Sequence, residues 1–266
     1  GTSGINLGVA HAFARAGARV AVLSRKQEKV DAAVKALSEH GGEVAGFSAD
    51  VRDYAAIETA LKAAHQRFGD FDVLISGAAG NFPAPAIGMS ANAFKSVVDI
   101  DLMGTYHVLR AAFPLLRKPG ASVINISAPQ AFLPMAMQMH VCSAKAGVDM
   151  LTRVLAIEWG PDGVRVNSLI PGPIGGTEGV RRLAPSEETL ARMERSVPLG
   201  RLGTTGEVAD MAVVLCSPLA GFVTGAVLTV DGGTSLLGGR DFTAAHAAAQ
   251  QNRQAKAQES HGRDTL

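Results

Sequence analysis

Residues 123–147 read VINISAPQAFLPMAMQMHVCSAKAG. Val123 to Ser127 is a short apolar, β-branched run, the signature of a strand buried on both faces of a parallel sheet. A loop follows, and a helical periodicity begins near Ser143 and runs to Trp159. Ala144, Val148, Leu151, Leu155 and Trp159 fall on one face of that helix, at spacings of four, three, four and four. Lys145 sits one turn inside it. A buried strand that hands over to a helix carrying a lysine predicts an α/β fold: a doubly wound, Rossmann-type parallel sheet with helices on both faces.

The rest of the chain repeats the alternation. Ala18 to Ser24, Val44 to Phe47, Phe71 to Ser76, Val164 to Ile170 and Ala226 to Val230 read as strands, with helical patterns between them at Val9–Ala16, Val30–Leu37 and Tyr54–Phe68. The opening Gly1-Thr2-Ser3-Gly4-Ile5-Asn6-Leu7-Gly8 is a glycine-rich turn into a helix. Such a turn lets backbone N–H groups and the helix N-terminus face a pyrophosphate. The strand that feeds such a turn is expected to lie before residue 1. Ser90 is the expected N-cap of the helix that carries Asp99 and Asp101, and Thr204 with Glu207 spells a capping box.

The chain has 266 residues, 47% of them apolar, and a formal net charge of +1. That charge supplies no general field for nucleic acid or an acidic membrane, and no apolar run approaches the ~20 residues of a membrane span. One domain over residues 1–239 is expected, followed by a polar tail, 240–266. Two cysteines, Cys142 and Cys216, suit a reducing compartment. With no signal peptide and no peroxisomal tail at Asp264-Thr265-Leu266, a cytoplasmic location is expected.

The ordered set of Ser3-Gly4-Ile5, Asp50-Val51, Ala78-Ala79-Gly80, Lys145 and Pro171-Gly172-Pro173 resembles the short-chain dehydrogenase/reductase family. The resemblance implies a nicotinamide dinucleotide held by Gly1, Thr2, Ser3, Gly4 and Ile5 at the pyrophosphate. Asp50 and Val51 would hold it at the adenine, and Ala78, Ala79 and Gly80 along its backbone. Lys145 would hold the ribose, and Pro171, Gly172, Pro173, Ile174, Gly175, Gly176 and Thr177 would lie around the nicotinamide. Asn6 stands where the family's last glycine would be, and Gly77-Ala78 replaces its paired asparagines. An acidic residue at the end of the second strand would select NAD and a basic one NADP. Here Ser24 is followed by Arg25 and Lys26, which favours NADP(H), with Gln27, Glu28 and Lys29 completing that turn.

The family places a tyrosine four residues before its lysine and a serine thirteen before the tyrosine. Those positions are Val141 and Ala128, and neither can donate a proton. Gly80-Asn81-Phe82, Asp99-Ile100-Asp101, Ser143-Ala144-Lys145 and the segment from Pro171 to Leu183 resemble one branch that also lacks the tyrosine, the peroxisomal type of 2,4-dienoyl-CoA reductase. By that resemblance Asp101 and Lys145 are catalytic. Arg25, Arg52, Phe82, Ser90, Ala91, Asn92 and Arg182 line an acyl-CoA site, and 178–194 forms a lid. NADPH reduces a dienoyl thioester in unsaturated fatty acid β-oxidation, and the helices after Ser90 and Ser143 assemble a homotetramer. Two other readings stay open: a reductase of a carbonyl or enoyl-CoA substrate with Ser127 or Ser143 as the acid, and a catalytically inactive NADP-binding sensor or scaffold.

Overall fold

The computed structural model describes residues 1–238; the expected tail, 240–266, lies outside them. Gly1–Thr234 forms one compact unit, and the described part of a second unit is the end of a short 3-10 turn, Thr234–Gly238. The strands are β1 (Val20–Ser24), β2 (Val44–Ser48), β3 (Val73–Ser76), β4 (Ser122–Ile126), β5 (Arg165–Pro171) and β6 (Val227–Val230). The helices are α1 (Gly4–Arg15), α2 (Gln27–Ser38), α3 (Tyr54–Phe68), α4 (Ala91–Val98), α5 (Gly104–Ala112), α6 (Met139–Trp159), α7 (Glu178–Leu183), α8 (Glu187–Arg195) and α9 (Thr205–Cys216). All paired strands are parallel. They form a two-stranded sheet, β1-β2, and a four-stranded sheet in the order β3-β4-β5-β6.

Each central strand feeds two cores because successive side chains point to opposite faces. Val123 and Val166 pack with Ile57, Leu109 and Trp159 on one side. Ile124, Ile126 and Leu169 pack with Val9, Val208 and Leu215 on the other. With both faces covered, every residue of β4 is buried, which is why the strand reads as a continuous apolar run. On the second face α1 and α9 pack closely. A Cβ on Gly8 would sit 2.7 Å from Thr205 Cβ, so only glycine fits there.

Two expectations need correction. Helix α6 begins at Met139, not near Ser143, so Lys145 lies almost two turns inside it. The stripe of Ala144, Val148 and Trp159 faces the sheet. A different set, Met150, Val154 and Ile157, is exposed, with Ile157 at 78%. Helix α2 starts at Gln27, which leaves Arg25 and Lys26 in the turn after β1, with Lys26 at the N-cap position. Among the described residues no helix is long and apolar enough to cross a membrane.

Candidate active site

The site begins with an irregularity in one helix. α4 and α5 are joined without a break through a π-helical turn, Asp99–Met103. An extra residue in a helical turn re-aims the side chains around it, and such turns are frequent at functional sites. Ser90 caps the start of α4 as expected, accepting from the Ala93 N–H. Asp99 turns outward and pairs with Lys95, whereas Asp101 is 1% exposed. The Gly80 N–H donates to Asp101 Oδ1 at 2.6 Å, and the Thr105 hydroxyl donates to the Asp101 carbonyl at 2.7 Å.

Helix α6 brings Lys145 to the same place. Its ammonium donates to the Ile126 carbonyl at the end of β4, at 3.0 Å, and stands 3.6 Å from Asp101 Oδ2. The helix can approach because residue 147 is glycine: a Cβ there would lie 2.9 Å from Leu102 Cδ1. Gly104 serves the opposite side of the π-turn, where a Cβ would lie 2.6 Å from Val51 Cγ2. Both charges of the pair are thus held out of water. Burial pushes the Asp101 carboxyl above the usual carboxylate range; Lys145, the Gly80 N–H and nearby His140 pull it the other way without cancelling the shift.

Neither expected donor position holds a donor. Val141 is packed at 3% exposure. Ser143 lies on the exposed side of α6, its hydroxyl turned back to the Met139 carbonyl at 2.9 Å. Ser127 is buried, and its hydroxyl is turned toward the Asp149 carboxyl, whose pKa it helps to hold down. Sequence reasoning missed two further buried groups. Asp149, one turn beyond Lys145, accepts from the Ser168 hydroxyl at 2.9 Å, and burial raises its pKa as well. His140 is fully buried, and neither ring nitrogen has a partner. Its position beside Val141 was the only signal the sequence offered.

The residues expected to bind the cofactor follow the carboxyl ends of the strands, where a doubly wound sheet takes its ligands. Gly4 has φ +53°, and a Cβ on it would meet Thr177 Cγ2 at 3.9 Å; the glycine turn (Gly1 to Ile5) and the Pro171–Thr177 segment are therefore neighbours. The first turn of α1 has no side-chain cap, since the N-cap Ser3 makes none, so its N–H groups suit an anionic group. Asn6, the departure from the glycine pattern, braces a second turn, because its Nδ2 donates to the Gly77 carbonyl at 2.8 Å. That bond supports the turn into Ala78, Ala79 and Gly80, where the family's paired asparagines are missing. Arg25 and Lys26 are exposed after β1, and Lys26 reaches Glu28 at 3.7 Å. The glycine cradle, the uncapped helix end and the buried, unpartnered oxygens of Asn6 and Asn81 fit a dinucleotide and a polar substrate.

The residues expected to line an acyl-CoA site fall into two groups. Phe82 and Arg182 join the Asp101–Lys145 pair through one loop. Gly80 holds Asp101, the Asn81 carbonyl accepts from Arg182 Nη1 at 3.0 Å, and the Phe82 ring meets His140 edge-on with centroids 4.5 Å apart. Ser90, Ala91 and Asn92 form the exposed start of α4. Arg52 and Arg25 lie instead at the Asp50 side. Arg52 clasps Asp50 at 2.6 Å, and this contact, helped by Arg25, holds the carboxyl below its usual range. The two adjacent arginines of α7 are not free cations: Glu178 bonds Arg181 at 2.7 Å and Arg182 at 2.9 Å. The segment expected as a lid is two short helices, α7 and α8.

Comparison with known proteins agrees with this geometry. The family described as enoyl-(acyl carrier protein) reductase matches residues 1–235. A peroxisomal 2,4-dienoyl-CoA reductase [(3E)-enoyl-CoA-producing] of Pongo abelii is 46% identical over 238 residues, covering 89% of this chain and 82% of its own. Among solved structures, a short chain dehydrogenase from Bacillus anthracis superposes with TM-score 0.82 at 36% identity, over 90% of this chain and 95% of its own. An NADPH-bound short chain oxidoreductase from Pseudomonas aeruginosa PAO1, described as containing an atypical catalytic center, superposes with TM-score 0.82 at 29% identity, over 88% and 93%. A chain with this motif order, this strand-end site and relatives this similar belongs to the short-chain dehydrogenase/reductase family of oxidoreductases.

Proposed function

We propose that the protein reduces 2,4-dienoyl-CoA esters to 3-enoyl-CoA with NADPH, a step in the oxidation of unsaturated fatty acids. The observation that carries this reading is the buried Asp101–Lys145 pair, 3.6 Å apart, in a site whose tyrosine and serine positions are Val141 and Ala128. Ketone reduction leaves an alkoxide next to the carbon that took the hydride, and that alkoxide demands a positioned acid. A dienoyl thioester has no such demand at the hydride site. Hydride adds at C5, the two double-bond pairs shift toward the thioester, and the charge collects on its oxygen before a proton enters at C2. A reduced nicotinamide supplies the hydride. The chain's own residues hold the charges: Lys145, anchored on the Ile126 carbonyl, has N–H donors left for a ribose and a water, and Asp101, anchored by Gly80, orients that water.

NADPH is preferred to NADH on the exposed Arg25 and Lys26, with no carboxylate at the end of β1. The substrate's phosphates suit Arg25, Arg52 and Arg182, and its acyl chain suits Phe82. Exposed Met150, Val154 and Ile157 on α6 support a homotetramer. The two free thiols fit a reducing compartment such as the cytoplasm.

The test follows NADPH absorbance with a medium-chain trans-2,trans-4-dienoyl-CoA and with a saturated acyl-CoA. Oxidation is expected with the dienoyl ester only, and Asp101→Ala and Lys145→Ala should each lower kcat by about 100-fold or more. Full turnover by either variant refutes its assigned role. NADPH binding without turnover turns the reading toward the sensor. The carbonyl-reductase alternative has lost one candidate acid, since Ser143 faces away from the pair.

A further inference from the structure

His140 is a buried ionisable side chain that the mechanism above does not use. It is 0% exposed, and both ring nitrogens lack a hydrogen-bond partner. A buried polar group without partners costs on the order of 1–3 kcal/mol, so each such group asks for an explanation. The ring stands at the catalytic pair: it acts electrostatically on the Asp101 carboxyl. Its edge contact is Phe82, two residues beyond the Gly80 that holds Asp101. Asn81 Oδ1, between Gly80 and Phe82, is also buried and unpartnered. The loop of Gly80 to Phe82 therefore brings buried, unsatisfied polar groups, Asn81 and His140, to the neighbourhood of Asp101.

Hydride addition to a dienoyl thioester puts negative charge on the thioester oxygen, which then needs a donor that is not already engaged. Lys145 donates to Ile126 and, in the reading above, gives its remaining N–H groups to the ribose and the water; Ser127 is turned to Asp149, and Asp101 offers oxygens. Ser143 faces out, and Val141 has nothing to offer. We infer that His140 is a catalytic residue that donates a ring N–H to the thioester oxygen once the acyl chain has displaced Phe82 from its face. This rests on the dienoyl-CoA reading. The imidazole would take over the donor role that a tyrosine one position further along α6 would otherwise fill. Its missing hydrogen bonds are made only when substrate is bound, and they strengthen as charge arrives.

The experiment uses the full chain with NADP⁺ bound and reads the absorption band of a 2,4-dienoyl-CoA, which moves to longer wavelength when a donor polarises its carbonyl. Wild type is expected to shift the band. His140→Phe should abolish the shift and lower kcat by about 100-fold, with NADPH affinity unchanged; His140→Gln, which keeps an N–H, should retain part of both. If His140→Phe does not fold, as judged by its melting curve, His140→Leu takes its place. Turnover by wild type together with an unchanged shift and kcat in the variants overturns the role of His140 and leaves the reductase reading standing, as does a wild type that turns over without any shift. A wild type that neither binds nor reduces the dienoyl ester overturns both.

Discussion

At the scale of single residues, the unusual feature is a carboxyl and an ammonium both removed from water. Burial of this kind is costly unless the pair is well partnered, and Asp101 has a close hydrogen bond to one oxygen only, its other oxygen facing the Lys145 ammonium at 3.6 Å. The cost appears as a raised Asp101 pKa. A carboxyl whose folded pKa lies above its unfolded one binds more protons folded than unfolded in the interval between the two, so stability falls as pH rises through that window. Asp101→Asn, which is neutral throughout, should therefore melt close to wild type near pH ~4 and above it at higher pH, with a gap that widens as Asp101 ionises. A scan of Tm against pH for the two proteins checks this, and a constant gap would show that Asp101 ionises without penalty. The resemblance to the tyrosine-less branch of the family singles out Asp101 and Lys145 in the sequence. The sequence could not name His140, because a histidine on a helix looks the same whether solvated or sealed in; only the contact with Phe82, far away in the chain, distinguishes the two.

Among elements, the glycine turn and the turn after β3 depend on each other. A Cβ on Gly77 would lie 2.3 Å from Asn6 Oδ1, and Asn6 in turn supports the Gly77 carbonyl. Gly77→Ala must displace that side chain, and Asn6→Ala removes it. Each is expected to cost about 1 kcal/mol. The double variant should fall short of the sum by about 0.5–1 kcal/mol, as measured by denaturant unfolding with NADPH affinity as a second readout. Additive losses would mean that the two turns are independent. Strands and most helices are legible in the sequence because apolar runs and capping boxes are local signals: Tyr54–Phe68 reads to the residue, and the Thr204–Glu207 box is formed. The early start of α6 and the π-turn are not legible. The π-turn is packed by partners distant in sequence, Leu102 against Gly147 and Val51 against Gly104, and α6 opens without a side-chain cap that would mark its start.

The molecule as a whole presents one face that a lone protomer does not explain. Met150, Val154 and Ile157 line the outward side of α6 at spacings of four and three, while the same helix buries Val148 and Trp159 against the sheet. An apolar stripe on each side of one helix fits an element sandwiched between its own sheet and a second copy. If the proposed homotetramer forms through this face, Ile157→Glu should reduce the mass measured by light scattering while leaving the far-ultraviolet dichroism unchanged; an unaltered mass would remove α6 from that proposal. The burial of Val141 has a consequence of a different kind, for redesign. At 3% exposure the position is already packed, and a phenol introduced there by Val141→Tyr would overpack the core by about 1–3 kcal/mol. Installing a tyrosine at this place therefore calls for smaller residues around it, so engineering a tyrosine acid into this chain is a coordinated set of substitutions rather than a single one.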